Sequence, residues 1–351
     1  MGQRVLAVVG AATRDGNGHT RGRACAALPS LSMEGSTFAI FAAVFGACIG
    51  SFLNVVIWRL PQEDPSKRSV LGRSYCPACG AQIRWFDNLP VLGWVALRGK
   101  ARCCGAKISV RYPFVELLTA AFFFVLAYWP PFGAVILAEG VFDTTALAGL
   151  VLHCTFASML IALTFIDFDT QLLPDALTKP GMLIGVIAGL WPGLAGTISS
   201  DPTVSAELRS VLASLIGLVV GGGITWGVRA LGSAVFKKEA MGFGDVKLMG
   251  MIGAFLGWRA ALLTLFLGCV YGAVVGVMLT LRGGLLARIP FGPYLAMGAV
   301  SALFWGEQLI DLLFVDWPEW QRQNPSSVYL VLTVGVGALF AMLLLLRRAR
   351  R

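Results

Sequence analysis

The chain has 351 residues, of which 57% are hydrophobic and only 13% are charged, with a mean hydropathy of +0.75 and a formal net charge of +9. Soluble domains carry about 25% charged residues, so this composition excludes an ordinary soluble protein. Apolar runs of about 20 residues recur along the chain, and each is long enough to cross a bilayer as a helix. The runs are continuous rather than alternating, which favours helices over the strands of a membrane barrel. We therefore predict an all-α fold, a polytopic bundle of membrane helices.

Eight or nine membrane spans are predicted in chain order. Only Gly257, Trp258 and Arg259 separate the sixth span from the seventh, so this pair sets the uncertainty in the count. Residues 113–313 form the predicted membrane core, and 314–351 add a last span and a basic tail. Residues 1–33 are expected to be a disordered extension or sequence that precedes a native start at Met33. The predicted spans are 36–58, 113–129, 146–166, 176–198, 207–231, 246–258, 259–281, 291–313 and 328–346.

The distribution of basic residues predicts the orientation of the bundle. Residues 59–112 carry ten Lys and Arg side chains against three acids, and the C-terminal tail adds four arginines. Loops rich in Lys and Arg stay in the cytoplasm, so we expect 59–112 and the C-terminus on that side. Membrane topology accounts for these charges. We therefore expect membrane lipid, and no nucleic acid, as a partner.

Four cysteines in the 59–112 loop have the spacing of a metal site. The sequence CPACG provides Cys76 and Cys79, and RCCG provides Cys103 and Cys104. Paired cysteines in tight turns of a cytoplasmic loop usually hold zinc, whereas disulfides are rare in that compartment. Ala101 occupies the place of a cysteine in a second CxxC, so Cys103 would have to be the fourth ligand. We predict a small zinc-ribbon-like loop; the alternative is a metal-free loop held by packing.

Two acidic clusters lie at the ends of predicted spans. The sequence IDFDTQLLPD contains Asp167, Asp169 and Asp175, and MGFGDVK contains Asp245 and Lys247. In the predicted topology, Asp167 and Asp245 reach the same cytoplasmic border of the membrane. Two carboxylates at one depth can share a proton, one activating water and the other protonating a carbonyl oxygen or a leaving amine. The pattern indicates an aspartic hydrolase, and the alternative is that each acid only ends a helix.

Other classes of membrane protein also carry acids near the membrane. A transporter would place them mid-span beside broken helices, often with an inverted repeat, and we find no such repeat. A presenilin-like protease would share the GxGD sequence but would also have a Pro-Ala-Leu tripeptide, which the later spans lack. An assembly scaffold without catalysis would tolerate the loss of either aspartate.

Several motifs, in order, resemble the bacterial type IV prepilin peptidases, or prepilin leader peptidase/N-methyltransferases. The resemblance implies a GxGD-type aspartic endopeptidase of the bacterial inner membrane. Members remove the leader of type IV prepilins and type II secretion pseudopilins at the cytoplasmic face, after a glycine. Many then methylate the new N-terminal residue, usually Phe, with S-adenosylmethionine. The motifs are GACIGSFLNVVIWRLP, the cysteine loop, RWFDNLPVLGW, ISVRYPFVELLTA, IDFDTQLLPD and MGFGDVKLMG, from about residue 36 to about residue 300.

The resemblance carries the family's two catalytic aspartates onto Asp167 and Asp245. The seven-residue step from Asp167 to Pro174 matches the family's pattern, and Asp169 competes for the first position. Asp175 is expected to cap the next helix. Lys247 is expected either to orient a carboxylate or to end a helix.

The resemblance ascribes methylation largely to the 59–112 loop. The chain has no glycine-rich dinucleotide-binding sequence, so the residues that would bind S-adenosylmethionine are not identified by a motif. Asn54, Arg59 and Pro61 are candidates for shaping the start of the loop.

Overall fold

The regular secondary structure of the described residues is helical, and turns and irregular segments make up much of the cysteine loop. The computed structural model describes residues 33–64, 68–70, 72–128, 144–190, 206–237, 239, 241–281, 290–326, 329 and 333. A 3₁₀ turn covers Trp85–Asn88, a π turn covers Leu312–Asp316, and two isolated β-bridges lie in the cysteine loop. The α-helices are α1 (Met33–Arg59), α2 (Leu92–Ala96), α3 (Arg111–Tyr128), α4 (Thr144–Thr170), α5 (Asp175–Ala188), α6 (Ala206–Phe236), α7 (Phe243–Leu281), α8 (Gly292–Asp311) and α9 (Trp317–Gln323).

The predicted all-α class is confirmed for the described residues, but the predicted number of spans is not shown. Six helices in this part of the chain are long and apolar enough to cross a membrane: α1, α3, α4, α6, α7 and the helical run from α8 to α9. Helix α5, in the predicted span 176–198, has only 14 residues and ends at Ala188. The predicted extension 1–33 and the predicted last span 328–346 lie outside the described residues, apart from Met33, Tyr329 and Thr333.

Helix α7 contains the two spans that the sequence separated at 258. Gly257 breaks it, with a φ of 79° and a ψ of 172°. A positive φ is unfavourable for residues with a Cβ atom, so glycine is the residue suited to this break. The backbone therefore divides α7 into 243–256 and 258–281, which is where the sequence predicted a turn.

Helices α6 and α7 pack with their backbones in direct contact. A Cβ atom at Gly217 would lie 2.0 Å from the carbonyl oxygen of Gly253, and one at Gly221 would lie 2.4 Å from that of Met249. Small residues at this spacing allow close packing of membrane helices, where dispersion replaces the hydrophobic effect as the attraction. This contact fixes the first half of α7, which begins at Phe243 within the GFGD sequence.

The buried core connects α7 to α4 and α8. The ring centroids of Phe156 in α4 and Phe255 in α7 are 4.7 Å apart, and Leu295 and Ala299 of α8 complete the same cluster. A second cluster joins α1, α3 and α4 and includes Ile166, the residue before Asp167. Asp167 is therefore attached to a part of α4 that is packed on both sides.

We predict that Gly217→Ala destabilises the bundle, because the added methyl group would overlap the backbone of α7. Overpacking of this kind typically costs about 1–3 kcal/mol. The measurement is the free energy of unfolding of the purified chain in detergent. Gly223→Ala is the matched control, because a Cβ at Gly223 has no neighbour within 4 Å. Equal stability of the two variants would contradict the proposed close contact.

Candidate active site and cysteine cluster

Asp167 lies near the C-terminal end of α4 and points at the beginning of α8. Its side chain is buried, and its Oδ2 accepts a hydrogen bond of 3.0 Å from the backbone N–H of Gly292. The first N–H groups of a helix have no partner within the helix and carry a partial positive charge. The N-terminus of α8 is thus a favourable place for one negatively charged oxygen.

Asp245 lies in the first turn of α7 and is also buried. Its carboxylate interacts electrostatically with that of Asp167, so the structure brings together the two acids that the sequence paired. Of the two glycines beside Phe243, Gly244 allows α7 to pack closely against Leu173, whereas the position of Gly242 has room for a Cβ atom. A Cβ at Gly242 would lie 3.5 Å from Oδ2 of Asp245, and one at Gly244 would lie 2.8 Å from the Cβ of Leu173.

Asp169, the competing candidate, is held in a different interaction. Its two oxygens accept hydrogen bonds of 2.8 and 2.6 Å from Nη1 of Arg111, the first residue of α3. The side chain of Asp169 is 44% exposed, whereas Asp167 is buried. The geometry therefore favours Asp167 as the partner of Asp245 and gives Asp169 a role in joining α3 to α4.

Asp175 does not cap α5 as the sequence predicted. Pro174 holds the N-cap position, and Asp175 is the first helical residue, where its charge still suits the positive end of the helix. Its carboxylate pairs with Lys247 of α7 and with Lys179 one turn further along α5. Lys247 thus orients a carboxylate, but that of Asp175 rather than one of the buried pair.

Arg229 of α6 holds the segment that precedes Asp245. Its Nε donates a hydrogen bond of 3.0 Å to the carbonyl oxygen of Met241, and its guanidinium lies 5.7 Å from the ring centroid of Phe243. The ammonium of Lys247 lies 5.1 Å from the same ring. Two cations therefore contact Phe243 and fix the turn that presents Asp245.

Two of these positions were not identified from the sequence. Gly292 follows Phe291 and precedes Pro293 at the start of α8, and a Cβ there would lie 2.6 Å from Oδ2 of Asp167. The Gly-Pro pair at a helix start was the available signal. Arg229 is one of two arginines in a largely apolar helix, and such residues usually have a specific partner.

The four predicted metal ligands converge on one point of the cysteine loop. The sulfur atoms of Cys76, Cys79, Cys103 and Cys104 all lie within 4.8 Å of one another. The distances are 3.8 Å from Cys76 to Cys104, 3.3 Å from Cys79 to Cys103 and 3.9 Å from Cys103 to Cys104. With Zn–S bonds of about 2.3 Å, the sulfur atoms of a tetrahedral site are about 3.8 Å apart. The donor set fits zinc in both chemistry and spacing.

The two cysteine turns have the same backbone structure, which explains the altered second motif. In the first turn, the N–H of Cys76 donates to the oxygen of Ala81 and the N–H of Gly80 donates to that of Cys76. In the second turn, the N–H of Ala101 donates to the oxygen of Ala106 and the N–H of Gly105 donates to that of Ala101. All four hydrogen bonds are 2.8 Å long. Ala101 is therefore the structural equivalent of Cys76, and Cys104 that of Cys79. Cys103, beside it, supplies the thiol that Ala101 lacks.

The thiols have unequal acidities because their hydrogen bonds differ. The backbone N–H groups of Ala78 and Cys79 lower the pKa of the Cys76 thiol to about 7. The neighbouring Cys79 thiol and burial raise the pKa of Cys103 to about 12. Several thiols this close cannot all ionise without a cation to offset their charge.

The loop is fastened to the end of α1 by the residues proposed to shape its start. Arg59 is buried and donates hydrogen bonds of 2.8 and 3.1 Å to the carbonyl oxygens of Ser69 and Arg73. Asn54 donates one of 3.1 Å to the carbonyl oxygen of Tyr112, at the other end of the loop. Pro61 follows shortly after α1 ends at Arg59.

Comparison with known proteins gives matches along most of the chain. The model for the Bacterial Peptidase A24 N-terminal domain matches residues 44–130, and that for the Type IV leader peptidase family matches residues 154–277. No solved structure matches the chain.

Curated relatives named prepilin leader peptidase/N-methyltransferase align with this chain over 65 to 95% of their own length. The protein from Pseudomonas putida is 38% identical over 303 residues, which is 80% of this chain and 94% of the relative. The one from Pseudomonas aeruginosa is 36% identical over 304 residues, 80% of this chain and 95% of the relative. The one from Myxococcus xanthus is 41% identical over 250 residues, 71% of this chain and 65% of the relative. This chain therefore belongs to the bacterial type IV prepilin leader peptidase/N-methyltransferase family.

Proposed function

We propose that this chain is an aspartic endopeptidase of the bacterial inner membrane, that it removes the leader of type IV prepilins or type II secretion pseudopilins, and that Asp167 and Asp245 carry out the cleavage. The observation that carries the proposal is the burial of these two interacting carboxylates at the ends of separate membrane helices. Two carboxylates in a low dielectric do not both ionise easily, so one is protonated while the other is a base.

The pair is suited to hydrolysis of a peptide bond. The ionised carboxylate takes a proton from water as the water oxygen bonds to the carbonyl carbon, and the protonated carboxyl gives its proton to the carbonyl oxygen. The resulting intermediate breaks at its C–N bond: the first aspartate returns its proton to the leaving amine, and the second aspartate takes a proton from a hydroxyl group of the intermediate, which releases the carboxylic acid and restores the pair. The N–H of Gly292 is already bonded to Asp167, which holds that carboxyl in one orientation.

Cleavage at the cytoplasmic face is supported by the position of the cysteine loop. The ion pair between Arg111 and Asp169 joins the end of the loop to the end of α4 that carries Asp167. The loop and the buried aspartates are therefore at the same end of the bundle. Because the loop is strongly basic, it belongs in the cytoplasm, and the aspartates with it.

The same chain is proposed to methylate the new N-terminal amine. S-adenosylmethionine would supply the methyl group, and zinc would hold the cysteine turns together as a structural ion. Cys76, Cys79, Cys103 and Cys104 would be the zinc ligands. Ordered turns matter for this reaction because positioning of the two reactants supplies most of the rate.

Asp167→Asn and Asp245→Asn should each reduce leader cleavage by about a hundredfold or more, because an amide cannot exchange the proton. The measurement is the intact mass of a prepilin co-expressed in a host that lacks its own peptidase. Asp169→Asn is the matched control and should retain cleavage within a few-fold. Cleavage by both buried variants would favour a scaffold, and loss of cleavage in Asp169→Asn alone would move the catalytic role to Asp169.

Gly292→Ala should also slow cleavage, because its methyl group would occupy the space of the Asp167 carboxylate. We expect a reduction of about tenfold or more in the cleavage rate with little change in expression. Gly306→Ala lies in the same helix, has no neighbour within 4 Å of the added atom, and should cleave at the normal rate. Normal cleavage by Gly292→Ala would show that the Asp167 position is not critical.

The cysteine cluster should bind one zinc ion per chain, and Cys103→Ser should lose it. Because Ala101 is the equivalent of Cys76, adding Ala101→Cys to a Cys103→Ala variant should restore binding through a regular CxxC. Zinc per chain is measured by mass spectrometry of the purified protein, with Cys48→Ser in α1 as the control. Equal zinc in the wild type and Cys103→Ser would remove Cys103 from the ligand set.

A further inference from the structure

A large cavity lies between the cysteine loop and the membrane helices. Its volume is about 550 Å³, and its walls come from α1, the start of α3 and both cysteine turns. Small-molecule sites typically occupy about 300–1,000 Å³. The catalytic aspartates are not among the residues that line it, so the cavity is separate from the peptidase site.

Among the described residues, four aromatic side chains line the cavity, and three of them have defined contacts. Trp58 of α1 meets Tyr75 edge-on, with ring centroids 5.8 Å apart. The indole N–H of Trp94 donates a hydrogen bond of 3.1 Å to the carbonyl oxygen of Ile108. Tyr112 of α3 lines the same space. Rings of this kind can stack on a purine and attract a cation to their faces.

Two acidic side chains line the cavity, and only one has a cation beside it among the described residues. Asp87 forms a bidentate ion pair with Arg102, and the hydrogen bonds from this guanidinium lower the pKa of Asp87. Glu116 of α3 is buried and takes no part in the ion pairs found in the described part of the chain. Its partners are neutral: the backbone N–H of Val91 at 2.7 Å and the hydroxyl of Ser51.

Glu116 is surrounded by close contacts that keep it at the cavity wall. A Cβ at Gly50 of α1 would lie 2.7 Å from the Cα of Glu116. Val91 has a φ of 59°, which a β-branched residue rarely adopts, and the bond to Glu116 stabilises it there. A buried carboxylate without a cation is costly, and such groups usually have a functional partner.

We propose that this cavity binds S-adenosylmethionine and that Glu116 provides the negative charge that faces the positive charge of its sulfonium group. The inference rests on the methyltransferase half of the proposed function and assigns its cofactor site. The ligand combines a purine, which the aromatic wall accommodates, with a permanent cation, which an unpaired carboxylate attracts. Arg59 and Arg84 also line the cavity. Their guanidinium groups can pair with the carboxylate at the amino-acid end of the ligand.

The first turn of α3 separates this cavity from the catalytic aspartates. Arg111 bonds to Asp169 and to the carbonyl oxygen of Phe165 on the α4 side, whereas Tyr112 and Glu116 line the cavity. Adjacent residues of α3, Arg111 and Tyr112, therefore connect the end of α4 that carries Asp167 with the cavity.

The test is calorimetric titration of the full chain in detergent with S-adenosylmethionine and with S-adenosylhomocysteine, which lacks the sulfonium charge. Glu116→Gln keeps an oxygen for the Val91 N–H but removes the charge. It should weaken binding of S-adenosylmethionine by about tenfold and that of S-adenosylhomocysteine by less than about threefold. Val55→Trp, which fills the cavity from α1, should weaken both ligands about equally. Glu63→Gln, an exposed acid outside the cavity wall, is the control and should change neither.

The outcomes separate the inference from the function on which it rests. Equal weakening of both ligands by Glu116→Gln, or no weakening, would overturn the assigned role of its charge. Unchanged binding and unchanged prepilin methylation by Val55→Trp would overturn the cavity itself and leave the methyltransferase function standing. A wild-type chain that cleaves prepilin but neither binds the ligand nor methylates would overturn both. Thermal unfolding of each variant in detergent distinguishes these results from a failure to fold.

Discussion

The hydrogen bond between Gly292 and Asp167 is the interaction on which the candidate active site depends. A carboxylate in a membrane protein is costly unless it is hydrogen-bonded or paired. Among the described residues, Asp167 has no Lys or Arg partner. The backbone N–H of Gly292, which has no acceptor within α8, donates to its carboxylate instead. The bond connects α4 to α8. Position 292 must be glycine for this contact, because a side chain there would displace the carboxylate of Asp167. It therefore sets the position of one carboxylate through backbone geometry alone.

The second carboxylate is placed by packing of a different kind. Asp245 begins α7, and the direct backbone contact of Gly217 with Gly253 holds that half of the helix against α6. Arg229 reaches from α6 to the carbonyl of Met241 and fixes the turn before the helix. The two acids are thus brought together by elements that are distant in sequence. Each is positioned by its own neighbours, and their mutual repulsion is opposed by the rigidity of both supports.

The sequence predicted the elements that composition and local pattern determine. Continuous apolar runs predicted helices, a Gly-Trp-Arg sequence predicted the break at Gly257, and the order of acids at span ends predicted that Asp167 and Asp245 would meet. The sequence did not decide between Asp167 and Asp169 for the catalytic position, because the two acids are only two residues apart. The structure distinguishes them, since Arg111 pairs with Asp169. It missed Gly292 because its role is a contact over 125 positions of sequence. The predicted count of eight or nine spans is not shown by the described residues, in which six helices are long and apolar enough to cross a membrane and α5 has only 14 residues.

The cysteine loop shows how a motif can change while its geometry is kept. A pattern search compares positions in sequence, and by that measure Ala101 breaks the second CxxC. The backbone of the second turn nevertheless repeats the first, with the same two hydrogen bonds of 2.8 Å. Cys103, two residues beyond Ala101, approaches Cys79 within 3.3 Å. Zinc binds four thiolates in a tetrahedral arrangement, and the thiolates can come from any backbone positions that place their sulfur atoms at the corners of the tetrahedron. A zinc site therefore requires a particular arrangement of sulfur atoms in space. The regular CxxC spacing is one of several sequence patterns that can produce that arrangement.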